Sequence, residues 1–349
     1  MKLLLLNYSM NSISQVFSHQ RRIVLELSKR LESIDVVSSE TFKDAPIENV
    51  EIFSTEWRIG KTYRNIVKFY LVTMPLLIKH RGGTLFSHMT DVQSALIAIP
   101  CKLLRIRHIL WYAHKSPSKF LKFCYPFIDV LCTSTRGSCP ISGKKVILLG
   151  QAIDASIARD ITRLPNVPPK SWYHVGRIDP SKNIEVIIDS LEALHSKDQE
   201  IQLHFYGSPS SSNYEDYYNL LRSKYAQSDW IFFHGQIPYS RLAEVSMLHD
   251  AFINAFWGSL DKAIVEALVL KRIVVSANPE YLSEFENGIS PNTNISHQVQ
   301  AQISALYTSS LEKVKMDIER KHRLALASHE LNGWIMRLLD VIQEPADKR

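Results

Sequence analysis

The sequence predicts an α/β chain of two open parallel-sheet domains, and three observations carry that prediction. The chain has 349 residues, about twice the usual domain length. Short apolar runs of strand length alternate with stretches of helical apolar spacing along almost all of it. That alternation fails once, at residues 159–170, where Pro165, Pro168 and Pro169 fall among few apolar side chains. This stretch is the expected linker between a first domain at 1–165 and a second at 166–325.

Residues 2–8 form a continuous apolar run, as a strand buried on both faces requires. A polar loop follows at 9–18. Within 17–31, Ile23, Val24, Leu27 and Leu31 recur at helical spacing, and 34–38 reads as the next strand. A βαβ start of this kind continues naturally into a parallel sheet through right-handed crossovers. Residues 84–87, 108–113, 129–134 and 145–149 read as further strands, and 91–104 and 116–126 as helices.

Past the linker the alternation resumes. Strands are expected at 171–175, 201–206, 230–234, 251–255 and 273–277. The helix at 183–194 carries a stripe of Ile184, Ile187, Ile188, Leu191 and Leu194. Others are expected at 214–225, 239–248 and 261–270, and 296–342 is helical by pattern. Ligands of open α/β sheets bind beyond the C-terminal strand ends, so the loops leaving those ends are the places to look for chemistry.

Composition excludes several classes. The apolar and charged fractions are those of an ordinary globular protein, with no repeat at a fixed period. Residues 1–6 lack the longer apolar core of a leader, and no run approaches 18 uncharged apolar residues, so a membrane span is not expected. Cys101, Cys124, Cys132 and Cys139 show no paired spacing and read as reduced, packed thiols of a cytoplasmic protein. The net charge of +6 is unevenly spread. Residues 1–165 carry 23 Lys and Arg against 12 Asp and Glu, a net of +11, and the remainder 18 against 23, a net of −5. A basic first half fits an anionic partner, or simply a basic solvated surface.

Two constellations stand on strand-to-helix loops. The first is Gly176-Arg177-Ile178-Asp179-Pro180-Ser181-Lys182-Asn183. Gly176 lets the backbone turn away at the strand end. Arg177 and Lys182 can converge on one anion, and the following helix N-terminus adds positive potential, so a diphosphate fits. A plain loop with two solvated cations fits the same residues. The second is Phe256-Trp257-Gly258-Ser259-Leu260-Asp261-Lys262-Ala263-Ile264-Val265-Glu266-Ala267. Glu266 lies among apolar neighbours, where an unpaired buried carboxylate is costly. It either meets a partner such as ribose hydroxyls or lies on a solvated helix stripe.

Together these loops resemble glycosyltransferase family 4, and the resemblance spans nearly the whole chain. It implies the GT-B fold, two Rossmann-like domains facing each other across a cleft, with a C-terminal helix and tail at 326–349 returning toward the first domain. It implies that Arg177 and Lys182 bind the donor diphosphate and that Glu266 binds the nucleotide ribose. Phe233-His234-Gly235-Gln236-Ile237-Pro238 is similar to the family's nucleobase loop, which assigns Gln236 and Ile237 to the donor. Leu110-Trp111-Tyr112-Ala113-His114 resembles the strand whose terminal His lies near the transferred sugar, and Gly150-Gln151-Ala152-Ile153-Asp154 the segment closing the first domain. The residues expected to carry the reaction are therefore His114, Arg177, Lys182 and Glu266. Gly176, Gly258, Ser259, Leu260, Asp261 and Lys262 complete the donor set.

Two departures are plain. The first Glu of the family's E-x7-E motif is Gly258 here, with Asp261 and Lys262 the nearest charged residues. The Gly-rich loop after the first strand is replaced by 11–19, which has no Gly. Its Ser12, Ser14 and Gln15, with His88, are assigned to the acceptor side.

The implied reaction moves a hexose-type sugar from a nucleoside diphosphate to a hydroxyl, with retention of configuration. No carboxylate is an evident covalent nucleophile, so a front-face route in which the leaving phosphate takes the acceptor proton fits. Arg177, Lys182 and helix N-termini would stabilise the leaving charge. No cofactor and no metal are expected, since Glu215-Asp216 falls within a helix and no other acidic pair sits on a suitable loop. Residues 58–81 mix six Lys and Arg with an apolar stripe, as in a helix that lies on an anionic membrane or in a core-facing helix with a basic outer face. The acceptor expected is a lipid-linked glycan of surface-polysaccharide or lipopolysaccharide assembly, with the enzyme peripheral on the inner face of the membrane. Rival readings are a non-catalytic nucleotide-sugar-binding scaffold and a sugar-nucleotide epimerase. A dinucleotide oxidoreductase lacks its GxGxxG, and no nucleic-acid partner is expected, because charge alone supports one.

Overall fold

The computed structural model describes residues 1–12, 17–41, 45–58, 60–159, 161–209, 211–286 and 290–344. It divides into two compact units, Met1–Ala152 with Leu331–Arg349, and Ile153–Glu330.

The first unit holds β1 (Lys2–Ser9), α1 (Ser18–Ser28), β2 (Ser33–Glu40), β3 (Val50–Ser54), α2 (Thr62–Lys79), β4 (Thr84–His88), α3 (Asp91–Leu103), β5 (Arg107–Trp111), α4 (Lys119–Cys124), β6 (Val130–Thr133) and β7 (Val146–Leu148). All seven strands are parallel, in the order β3-β2-β1-β4-β5-β6-β7. Alternation along β1 explains its unbroken apolar run. Leu3 and Leu5 enter the core beneath α1, and Leu4 and Leu6 the core beneath α2 and α3. The buried Asp35 of β2 ties down the end of α2, with Lys79 Nζ at 2.7 Å and His80 Nε2 at 2.8 Å. Burial opposes its ionisation, but those two partners hold its carboxyl below the usual range.

The last helix of the chain, Leu331–Gln343, belongs to this unit. Trp334, Ile335, Leu338 and Ile342 join Ile23, Val24 and Leu27 of α1 in one core. Each such side chain stabilises by about 2 kcal/mol when fully buried, so the first unit is incomplete without the chain's end.

The second unit holds β8 (Ser171–Val175), α5 (Ile184–His195), β9 (Gln202–Tyr206), α6 (Glu215–Lys224), β10 (Ile231–Gly235), α7 (Leu242–Leu248), β11 (Ala251–Asn254), α8 (Lys262–Val269), β12 (Ile273–Ser276), α9 (Pro279–Phe285), α10 (Ile295–Thr308) and α11 (Leu311–His329). The helix Leu331–Gln343 is α12. The sheet is parallel in the order β10-β9-β8-β11-β12.

Several expectations need correction. The strand β3 and the helix α9 have no counterpart in the sequence reading. The helical stretch expected at 296–342 is three helices, broken where Ser310 caps α11 and where Glu330 leaves helical geometry. The changeover falls at Ala152 and the return at Leu331, not at 165 and 326. The proline-rich segment is packed against the second unit. Asp250, almost fully buried, accepts from Arg163 Nη2 at 2.7 Å and from the backbone N–H of Asn166 at 2.9 Å, Lys170 at 3.1 Å and Ser171 at 3.2 Å. Burial pushes the Cys101 and Cys124 thiols up to about 12, which leaves them unreactive. No helix among the described residues is long and apolar enough to cross a membrane.

Candidate functional site

In the second sheet the strand order reverses between β8 and β11, and the loops leaving those two strands are the two constellations singled out from sequence. That reversal is where open α/β sheets bind ligands. The β8 loop is anchored at its start. Gly176 N–H donates to Tyr206 O at 3.0 Å and Ile178 N–H to Ser208 O at 2.9 Å. The approach leaves no room at Gly207, where a Cβ would lie 1.7 Å from the Gly176 carbonyl oxygen. Asp179 then turns the chain, accepting Ser181 N–H at 3.1 Å. Asn183 takes a left-handed conformation, φ 51°, and its Nδ2 donates to Ala255 O at 2.8 Å, which ties the β8 loop to the β11 loop.

This turn brings Lys182 inward. Its side chain is 6 % exposed, and Nζ donates to Asp261 Oδ2 while lying 4.1 Å from the centre of the Phe256 ring. Asp261 also accepts Asn254 Nδ2 at 3.1 Å and caps α8 through Ala263 N–H at 3.4 Å. Burial would raise the Asp261 carboxyl, but the Lys182 ammonium and Asn254 hold it below the ordinary value. Arg177 stays half exposed, its Nη1 3.7 Å from Asp179 Oδ2. The loop therefore offers one buried cation and one accessible cation.

Glu266 is 7 % exposed, on the inner side of α8. The solvated-stripe reading is thus excluded. Lys262 Nζ lies 3.6 Å from its Oε1 and 5.3 Å from the centre of the Tyr239 ring. Burial raises the Glu266 proton affinity, and Lys262 and the Tyr239 hydroxyl oppose it. Tyr239 follows Gln236-Ile237-Pro238, so the expected nucleobase loop reaches Glu266 through Tyr239. Ser208 Oγ donates to Gln236 Oε1 at 3.0 Å. Gln236 is exposed, and Ile237 packs on the core that contains Leu260. Ser259 is half-buried.

Gly258 has a steric role. A Cβ there would lie 2.2 Å from Phe256 Cζ, so the ring that meets Lys182 occupies the space a side chain at 258 needs. Beneath the β8 loop, fully buried His174 shares a hydrogen bond through Nδ1 with Ile253 O at 2.9 Å. Burial lowers its pKa to about 4, so the ring is neutral at pH 7. Its Nε2, without a hydrogen-bond partner, lies 3.2 Å from where a Cβ at Gly176 would sit.

The remaining expected residues lie in the first unit. Ser12 follows β1 and His88 ends β4, the strands between which that sheet reverses its order. His88 is buried, its ring among those of His19, Phe86, Trp111 and Trp334, so it packs within an aromatic cluster. His114 follows β5, exposed, with its ring against Tyr112. Ser14 and Gln15 lie outside the described residues. No group of three His, Cys, Asp or Glu able to hold a metal occurs among the described residues. Sequence reasoning missed Gly207, Tyr239, Phe256 and the partner role of Asp261. Only Gly207, directly after a strand, carried a visible signal.

Residues 161–323 match the family described as glycosyl transferases group 1. The second unit thus carries a glycosyl transferases group 1 domain. The match covers almost all of the second unit, including both loops of the site. No curated protein sequence matches the glycosyltransferase. Its fold is similar to that of Anabaena HepE solved with UDP and glucose, at TM-score 0.71 and 13% identity over 99% of this chain and 100% of that one. A glycosyltransferase from Rickettsia africae aligns at TM-score 0.74 and 12% identity, over 100% and 99%. The lipopolysaccharide outer core galactosyltransferase WaaB aligns at TM-score 0.68 and 11% identity, over 98% and 99%. The glycosyltransferase thus has the GT-B fold of parallel-sheet units.

Proposed function

We propose that this glycosyltransferase moves a hexose from a nucleoside-diphosphate sugar to a hydroxyl of a lipid-linked glycan, with retention and without a metal. The observation that carries the donor half is the grouping of Arg177, Lys182 and Glu266 at the sheet-order reversal of the second unit. In this reading Arg177 and Lys182 hold the diphosphate. Lys182 keeps Asp261 on one N–H and turns its other donors to phosphate oxygen. As the glycosidic bond breaks, the leaving diphosphate gains charge, and the two cations stabilise it, which is the office a divalent ion fills elsewhere. Glu266 accepts from the ribose hydroxyls, with Tyr239 and Lys262 fixing its carboxyl. His114 contacts the sugar. HepE solved with UDP and glucose, and WaaB by its description a galactosyltransferase of lipopolysaccharide, support a hexose and a glycan acceptor. The acceptor reading places the enzyme at a membrane through α2, whose segment 58–81 holds six Lys and Arg and no Asp or Glu.

A thermal-shift screen against UDP-, GDP- and ADP-sugars, followed by transfer assays in EDTA, tests this. The expected result is a raised melting temperature with one nucleotide class, and turnover that survives EDTA. Arg177→Ala and Lys182→Ala should each lower kcat/KM by at least about a hundredfold, roughly the loss of one charged hydrogen bond. Donor binding with no transfer to any acceptor would instead favour a non-catalytic binding role.

A further inference from the structure

Helices α2, α3 and α4 cover one face of the first sheet as a continuous layer. α2 and α3 share a core with Leu4, Leu6 and Leu85, and α3 and α4 share one with Leu110 and Leu131. Tyr70 Oη of α2 donates to Leu96 O of α3 at 2.7 Å. The outer side of this layer is apolar where a solvated layer would be polar. α2 turns Tyr63, Val67, Leu71 and Ile78 to solvent, with Leu71 at 72 % exposure. α3 adds Ile99 and Leu103, the latter at 77 %. α4 alternates Lys119-Phe120 and Lys122-Phe123 outward around buried Leu121 and Cys124. By contrast α1 and α12, on the opposite face, expose only Leu25 and Met336 among their described large apolar side chains.

Apart from half-buried Asp91 at the start of α3, charge on the layer has one sign. Residues 58–81 and 92–128 each contain six Lys and Arg and no Asp or Glu. Some of these cations pair with acids elsewhere, such as Lys102 with Asp129 at 2.8 Å. Arg81, Arg105, Lys119 and Lys122 form no ion pair among the described residues. Exposed apolar rings and leucines set among cations match the interfacial region of an anionic bilayer, where apolar groups enter the acyl boundary and ammonium groups meet phosphate.

We propose that the outer side of the α2–α3–α4 layer is a membrane-docking face, with Leu71, Leu103, Phe120 and Phe123 entering an anionic lipid surface. This rests on the membrane-borne acceptor proposed above and extends the contact from α2 to the whole layer. The test is flotation of the full chain with phosphatidylcholine vesicles with and without phosphatidylglycerol. Binding is expected only with phosphatidylglycerol and should weaken with salt. Phe120→Ser with Phe123→Ser should weaken it on the order of tenfold or more. Lys119→Glu with Lys122→Glu should do the same, at about fivefold per cation, and supplies a second reading if the serine variant melts early. Leu220→Ser, an exposed apolar site on α6, should change nothing. If Leu71→Ser lowers binding while both α4 variants bind as wild type, the layer proposal is overturned and α2 alone docks. If the wild type ignores phosphatidylglycerol vesicles at low salt, the membrane reading falls as well.

Discussion

Asp261→Asn separates the structural from the chemical role of the buried Lys182–Asp261 pair. Asparagine keeps the volume but has one acceptor oxygen in place of two; turned toward Lys182 and Asn254 it keeps those contacts, and the substitution removes the charge and the weak 3.4 Å cap from Ala263 N–H. What remains is an ammonium on a side chain 6 % exposed, facing a neutral amide and the Phe256 ring. Breaking a buried pair by removing one partner costs about 3–5 kcal/mol, and the surviving amide dipole argues for the lower end. In a unit of this size each kcal/mol shifts melting by roughly 2–4 °C, so a fall of about 6–12 °C is expected at pH 7. The pH dependence has a definite sign. Asp261 is held below its ordinary value, so its contribution is present above the unfolded pKa of about 4 and is lost as pH falls through the lower folded pKa. The gap between wild type and variant should stay full from pH 8 to pH 5 and narrow as pH falls below about 4. Lys182→Met combined with Asp261→Asn leaves no buried charge and should recover most of the stability while remaining inactive. Melting is followed by circular dichroism. A gap under about 2 °C at pH 7, or one that persists unchanged into acid, would refute the pairing argument.

Glu266→Gln keeps the shape of a buried carboxyl whose proton affinity is raised. A raised carboxyl makes the folded state lose stability as pH rises through that pKa, and glutamine does not titrate. The variant should therefore gain on the wild type in melting temperature as pH rises above the ordinary carboxyl value of about 4, while donor affinity in a titration falls about ten- to a hundredfold. Melting curves that stay parallel from about pH 4 upward would sink the assignment. At the β11 loop, Gly258→Glu must displace a ring that lies 2.2 Å from its Cβ. It should cost about 1–3 kcal/mol by thermal melt, and Phe256→Ala in the same chain should relieve most of that. A neutral single variant would show that the ring moves freely.

The fold was legible because periodicity was strong. β1 reads as KLLLLN, buried on both faces, and α5 carries its stripe of isoleucines. β3 was not legible, because an edge strand with pattern Val-Glu-Ile-Phe-Ser, largely half-buried or exposed, has neither an apolar run nor a clean alternation. The segment 159–170 shows a different limit. Its prolines mark irregular chain correctly, but whether such chain hangs free or packs is decided by Asp250, which lies some eighty positions away in sequence and gathers its backbone donors.

The candidate site is legible where a residue's chemistry and its place after a strand coincide. Arg177 and Lys182 are charged residues on a strand-to-helix connection, Glu266 is a carboxylate within the helix that follows another, and each has a physical reason to be there that a single sequence displays. Gly258 shows what such reading cannot reach. By sequence it is a carboxylate that the resemblance expects and the chain lacks, an absence that Asp261 and Lys262 stand near enough to fill. The structure makes it a space requirement. Phe256 lies where a side chain at 258 would go, and the same ring covers the Lys182 ammonium, which Asp261 already holds. Asp261 is thus engaged by Lys182, and Lys262 by Glu266, so neither is simply a free substitute for the missing Glu. A glycine two residues after a phenylalanine signals none of this in sequence. The contact is between a ring and a missing Cβ, and only the chain's path through the β11 loop brings them together.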